Sequence, residues 1–420
     1  MKKLFSLFLL LAMAVSAVNF AIAEEPIEIT FWHQYTDNTV MDDIAAAYMA
    51  DHPNVTIKVV SMKTQDMNTT LKMALTSGTG PDIFYYDAGP GYMGALADAG
   101  LLLELDAYAE KYGWEDKLAG WSLNAGKRND HLYGLACEYE MLCVWYNKAI
   151  FAELGVEIPT TYDEFVEICK KAKEAGIVGL GLDDMEKWPG YHYESLFYGA
   201  FGGAELESAV LDQENENGWN QPEFAAGLDA LRSLVAEGYT SEFPNGIAHD
   251  DALRDFYTGG AAMYMTGTWE VNNMWENMGE NVGLFVFPSA SEDILTTPPV
   301  GVGSAMQVSA TTAHPDEVVD FMNYIFDAEG GAKTWMAGSY ITPADVDISD
   351  MDFNPIFLEV VEIADSTDVY NYNIDVLMPA RVNDATGNFI QQVIDGMLTG
   401  QEAVEIKQAE FAAAIEAGEY

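Results

Sequence analysis

From Ile27 the chain alternates. Ile27, Ile29 and Phe31 are apolar and Glu28 and Thr30 between them are polar, the period-two signature of a strand with one face on a core. Val40, Met41, Ile44, Ala45, Tyr48 and Met49 then recur at helical spacing up to His52-Pro53, where a proline cannot continue the helix. Strand chemistry returns from Val55 to Val60, a second helix is predicted from Met67 to Leu75 before Gly78 and Gly80-Pro81, and a third strand from Asp82 to Tyr86. Strands separated by crossover helices imply a parallel sheet, whose ligand crevice lies beyond the carboxyl ends of its strands. Those ends carry Trp32-His33-Gln34-Tyr35 and Tyr86-Asp87-Ala88-Gly89.

A second α/β block is predicted after Glu140. Thr161-x-x-Glu164 reads as a capping box, and Phe165, Ile168, Cys169 and Ala172 form the buried stripe of the helix it starts. Prolines 222 and 315 open two further helices, with Phe224, Leu228, Leu231 and Leu234 inside the first and Val318, Phe321, Met322 and Ile325 inside the second. A length of 420 residues suits two domains, and no solenoid repeat or low-complexity linker separates the blocks. Short crossings must join them.

Charge narrows the partners. The chain has 67 Asp and Glu against 19 Lys and Arg, a formal net charge of −48, so a basic face for nucleic acid or anionic lipid is not expected. The first 23 residues read as a secretory signal: Lys2 and Lys3, an apolar run from Leu4 to Val15, and Ala21-Ile22-Ala23 as a small-x-small cleavage site before Glu24. No cysteine stands at that site for a lipid anchor, and no later stretch is apolar enough to span a membrane, so a free periplasmic protein is expected. Cys137, Cys143 and Cys169 are an odd count for an exported chain and read as three buried, inert thiols.

Catalytic signatures are missing. Six dispersed histidines include no H-E-x-x-H, and there is no G-x-S-x-G elbow or phosphate loop, so neither enzyme chemistry, metal nor cofactor is predicted. Asp212, Glu214, Glu216 and Glu223 loosely mimic a calcium loop but have Asn217 where its glycine should stand, and they read as an acidic hairpin. Aromatic residues beside turn residues are more informative: Trp188-Pro189-Gly190-Tyr191-His192-Tyr193 after a strand-like Gly179 to Leu182, Thr268-Trp269-Glu270 after Ala261 to Met265, and Trp335 and Tyr340 around Gly338-Ser339. Indole and phenol faces pack on the C–H face of a sugar while amides and carboxylates bond its hydroxyls. The segments read as surface loops carrying such rings.

The order of Ile29-Thr30-Phe31-Trp32-His33, Gly80-Pro81-Asp82-Ile83, Ala99-Gly100-Leu101-Leu102, Tyr133-Gly134-Leu135, Trp145-Tyr146-Asn147-Lys148, Pro159-Thr160-Thr161-Tyr162-Asp163-Glu164-Phe165, Gly260-Ala261-Ala262-Met263, Gly267-Thr268-Trp269 and Thr342-Pro343-Ala344 resembles the family-1 extracellular solute-binding proteins of ABC importers. The resemblance implies an α/β, two-lobed periplasmic-binding-protein fold of type II, each lobe a mostly parallel sheet flanked by helices, with a multi-crossing hinge. It places residues 24–138 and 303–340 in the first lobe and 139–302 and 341–420 in the second, with crossings at Cys137 to Met141, Pro299 to Ser304 and Ser339 to Ala344. The family often has proline after Tyr-Gly-Leu; here Ala136-Cys137 follows.

Carried over position by position, the resemblance implies ligand contacts from His33, Gln34, Tyr35, Asp87 and Glu138, from Trp188, Tyr191, His192 and Trp269, and from Gly303 and Ser304. Trp335 and Arg381 would close the rim. The implied role is a monomeric carrier that encloses a carbohydrate between its lobes and delivers it to the membrane permease subunits. Glycerol phosphate or a polyamine is the alternative solute, and an exported glycoside hydrolase the alternative class.

Overall fold

A computed structural model describes residues 25–420 except 37, 365, 367 and 368. The signal-peptide reading therefore lies outside the described residues. Two sheets organise the chain. The first has strand order β2-β1-β3-β12-β6, from β1 (Ile27–His33), β2 (Val55–Ser61), β3 (Ile83–Asp87), β6 (Gly134–Ala136) and β12 (Ser304–Val308); β4 (Lys127–Arg128) and β5 (His131–Leu132) form a separate hairpin. β1 runs parallel to β2 and β3, in register Ile29↔Ile57 and Phe31↔Ile83, and β12 returns antiparallel between β3 and β6. The helices Val40–Asp51 and Thr64–Ser77 are the two crossovers, each a little longer than the apolar pattern predicts. They cover opposite faces: Met41, Ile44 and Tyr48 pack with Ile29 and Phe31, and Met67, Leu71 and Leu75 with Phe84.

The second sheet has order β13-β11-β7-β9-β8, with β10 beside β11 on the same edge of β7. Its strands are β7 (Glu140–Asn147), β8 (Val178–Gly181), β9 (Ala261–Gly267), β10 (Val282–Phe285), β11 (Pro299–Gly301) and β13 (Asn371–Tyr372). Every residue of β7 and β9 is buried, as expected of central strands covered on both faces. Helices Tyr162–Glu174, Trp188–Leu211, Pro222–Ala236, Ala380–Ile394 and Gly400–Ala417 lie over one face, and His249–Tyr257, Val271–Met278 and Pro355–Ala364 over the other. The predicted capping box is displaced by one residue. Thr161 Oγ1 accepts from the Glu164 amide, but the Glu164 carboxylate reaches back to Thr160 N (2.8 Å), not to Thr161. All three cysteines are buried and outside any disulfide.

The chain leaves the first sheet at Cys137 and returns at Gly303. Cys137 N donates to Ser304 O (3.0 Å), and Tyr139 pairs with Ile341, its amide donating to the Ile341 carbonyl (2.9 Å). The last crossing falls later than after Tyr340, because Ala344 and Val346 still bury their side chains in the first lobe's core. The lobes are closed on each other. A Cβ built on Gly89 of the first lobe would stand 1.8 Å from the Val376 carbonyl oxygen of the second, so only a glycine, at φ +86°, permits this approach.

Candidate functional site

The space between the lobes has two unlike walls. On the first lobe, Tyr35 follows β1, Tyr85 lies in the middle of β3 and Asp87 ends it, and Glu138 enters the hinge after β6. The Tyr35 and Tyr85 hydroxyls both donate to Glu138 Oε1, the second over 2.6 Å, and stand 3.0 Å from each other. Burial raises the Glu138 carboxyl above the ordinary carboxylate range, although both hydroxyls work to lower it. Ser304 Oγ donates to Asp87 Oδ1 (2.9 Å), and burial lifts Asp87 to about 6.

Asp375 reaches this space from the second lobe. Burial and the Asp87 carboxylate raise it to about 7, and its Oδ1 is buried without a hydrogen-bond partner. Glu140, the first residue of β7, is pushed up by burial and by its acidic neighbours Glu138, Asp87 and Asp375. Tyr92 joins them, since Asp375, Asp87 and Tyr191 all raise its hydroxyl pKa further after burial has done so.

The second lobe offers rings. Trp188, Tyr191 and His192 occupy the first turn of the helix Trp188–Leu211, which starts where Gly190 N donates to Asp184 Oδ1 (2.8 Å). Trp269 sits in the short turn after β9, its indole folded over Gly267, where a Cβ would lie 1.8 Å from the ring. The His192 ring centroid is 5.1 Å from Trp269, and the two indoles are 6.5 Å apart at 65°. Burial holds His192 at about 3, so its ring is neutral. Trp269 packs against the apolar clusters of both lobes, and with Glu138, Thr268 and Tyr340 it lines a small pocket at the hinge.

Not every predicted site residue joins these walls. Trp335 does not close a rim: it lies within the helix Gly331–Ala337 and is wholly buried in the first lobe's core, behind Tyr35, Tyr85 and Tyr340. Arg381 stands apart from both walls. Its guanidinium makes two 3.0 Å bonds to Glu419 on an exposed flank, in an open groove of about 630 Å³ shared with Pro90 and Asp98. His33 is fully buried beside Phe31, burial lowering it to about 4. Gln34 accepts from Thr64 (3.2 Å). The Gly303 carbonyl is taken by Ala88 N (2.9 Å), and Ser304 serves Asp87. The Trp188 segment is helix, not loop, because proline is accepted in a first helical turn. Tyr85, Tyr92, Glu140, Asp375 and His249 escape the sequence reading; of these only Glu140 carries a signal, its spacing of two residues from Glu138.

Residues 33–332 match the model of the bacterial extracellular solute-binding proteins, well over half of the chain. The chain belongs to that family. A multiple sugar-binding protein of Streptococcus mutans is 26% identical over 318 residues, which cover 74% of this chain and 73% of that protein. A solved structure from work on xylan utilization by the thermophilic bacterium Caldanaerobius polysaccharolyticus superposes with a TM-score of 0.82 at 23% identity, over 91% of this chain and 99% of the other. A chitin oligosaccharide binding protein gives 0.81 at 21%, over 93% and 100%. At such identities the two structures show the shared fold, the two-lobed type II architecture.

Proposed function

We propose that this solute-binding protein is the periplasmic carbohydrate-binding component of an ABC importer, which closes on a sugar or oligosaccharide and presents the closed form to the permease subunits. One observation carries the reading. Trp269 is gripped by both lobes, and the walls on either side of it divide into rings and hydroxyl–carboxylate groups. A pyranose has the matching halves, an apolar C–H face and a rim of hydroxyls. The names of the Streptococcus and chitin-oligosaccharide relatives point the same way. Export follows from the leader read in residues 1–23 and agrees with the family; among the described residues no helix is long and apolar enough to cross a membrane. The protein acts as a monomer and releases its cargo unchanged.

Acid in the site favours one second reading. Asp87 and Asp375 both raise the Glu140 carboxyl, and Asp87 raises Asp375, a gathering of buried acids that suits a cationic polyamine. A thermal-shift screen of mono- and oligosaccharides with spermidine alongside separates the two. A ligand at about 100 times its Kd adds about 2.7 kcal/mol of stability. A rise with a sugar and none with spermidine is expected; the reverse would replace the carbohydrate reading by the polyamine one.

A further inference from the structure

One buried histidine outside the predicted site ties its aromatic wall together. His249 opens the helix His249–Tyr257 with a tenth of its side chain exposed. Its Nδ1 lies 3.1 Å from Asp183 Oδ2 and 3.0 Å from the Tyr264 hydroxyl, which itself donates to Asp183 Oδ1 (2.6 Å). On the other side of the ring, Nε2 faces Glu270 Oε1 at 3.6 Å. Glu270 is the residue after Trp269 and is held in turn by the Asn273 amide (2.9 Å). The imidazole and the Trp188 indole meet edge to face, with centroids 4.4 Å apart at 62°. Three separate segments therefore converge on this one ring: the loop after β8 at Asp183, the first turn of the long helix at Trp188, and the turn after β9 at Glu270.

We propose that His249 is a positioning residue for ligand binding: an imidazolium clamped between Asp183 and Glu270 fixes the mutual angle of Trp188 and Trp269, the pair on which the solute stacks. The inference rests on the carbohydrate reading for its ligand and on the coordinates for its geometry. Asp183 is wholly buried and Glu270 nearly so, and two carboxylates bracketing one imidazole make its cation the form they hold. Burial alone would discharge the ring, but the Asp183 hydrogen bond and the charges of Asp183 and Glu270, the latter an ion pair at 3.6 Å, prevail and raise it to about 10. His192, one helical turn from Trp188 and without a carboxylate partner, goes the opposite way under burial and the His249 charge.

The other titratable groups facing His249 leave this balance intact. Tyr264 stays protonated, being raised well above its usual value; Glu186 Oε2 accepts the His249 backbone amide (3.2 Å); and Asp250 is held low mainly by Lys63. A histidine raised in the fold stabilises fully below its unfolded value near 6.5 and loses that contribution as pH passes about 10. The clamp is thus complete at neutral pH.

His249→Gln and Glu270→Gln test this in the full-length mature protein. Imidazole ¹⁵N spectra at pH 8.5 should show one doubly protonated ring in the wild type, lost in His249→Gln and titrating at lower pH in Glu270→Gln. The exciton signal of the Trp188–Trp269 pair in circular dichroism, assigned by its loss in Trp188→Phe, should weaken in both variants. Titration with the sugar that scores best in the thermal screen should give an affinity lower by on the order of tenfold in His249→Gln. A neutral His249 at pH 8.5, or folded variants with wild-type exciton signal and affinity, would overturn the proposal. Should His249→Gln not fold, Glu270→Gln decides by the same readouts. If the wild type binds no sugar, the carbohydrate reading fails while the ¹⁵N and exciton results still judge the clamp.

Discussion

The two walls of the cleft solve different problems with different chemistry. The first lobe presents hydroxyls and carboxylates that are already bonded to one another: Tyr35 and Tyr85 to Glu138, and Ser304 to Asp87. The second presents ring surfaces, Trp188, His192 and Trp269, whose geometry is set from behind by Asp183, His249 and Glu270. Neither wall satisfies both halves of a sugar by itself. A ligand that needs both binds the closed form better than the open one, and that difference is the free energy that drives closure. The first wall also carries a cost. In the closed form Asp375 feels the charge of Asp87, and each additional buried negative charge disfavours that form until a proton or a ligand offsets it.

The largest effect expected from breaking one wall is on stability. Glu138→Ala removes the acceptor shared by the Tyr35 and Tyr85 hydroxyls, leaving them only each other, so that one hydroxyl donor goes unpaired, and should lower the unfolding free energy by about 2 kcal/mol, read from urea denaturation. Glu138→Gln keeps a carbonyl acceptor and should retain most of that stability. If the alanine variant is as stable as the wild type, the hydroxyl–carboxylate network does not organise the first wall.

An intermediate effect is expected from pH. Asp87 and Asp375 are raised to about 6 and about 7 from an ordinary value near 3.8, so between roughly pH 4 and 7 the closed fold holds more protons than the unfolded chain. Their contribution to stability falls as pH rises through that window. Asp375→Asn removes one of the two and should reduce the fall in melting temperature between pH 5.5 and 7.5; an unchanged profile would dissociate Asp375 from the first wall's acids.

The smallest effect is expected outside both walls. Arg381 is bonded to Glu419 on an exposed helix flank, and Arg381→Ala should leave ligand affinity unchanged in a calorimetric titration. A clear loss would extend the binding surface to the outer groove.

What the sequence could convey follows from where each signal resides. Strands β1, β2 and β3 and their crossover helices are local patterns, and the period of apolar residues is sufficient to find them. Tyr85, Asp375 and His249 owe their places to contacts over separations such as Tyr85 to Glu138 and His249 to Asp183, and no local period records such a meeting. Trp335 misleads because Gly338-Ser339 beside it suggests a loop, yet its ring turns inward from a helix onto Tyr35 and Tyr85. Trp188-Pro189-Gly190 misleads in the opposite sense: a helix start resembles a turn when only its residue types are seen.

Trp269 is the residue on which the two walls meet, and its truncation tests the central claim most directly. The sugar identified by thermal shift should be titrated calorimetrically into the wild type and into Trp269→Ala, with circular dichroism confirming that both are folded. Removing a ring that both lobes grip should weaken binding by roughly 1 to 3 kcal/mol, about five- to 150-fold. Equal affinities in two folded proteins would contradict the account, because the ligand would then not be held between a wall of rings and a wall of hydroxyls and carboxylates.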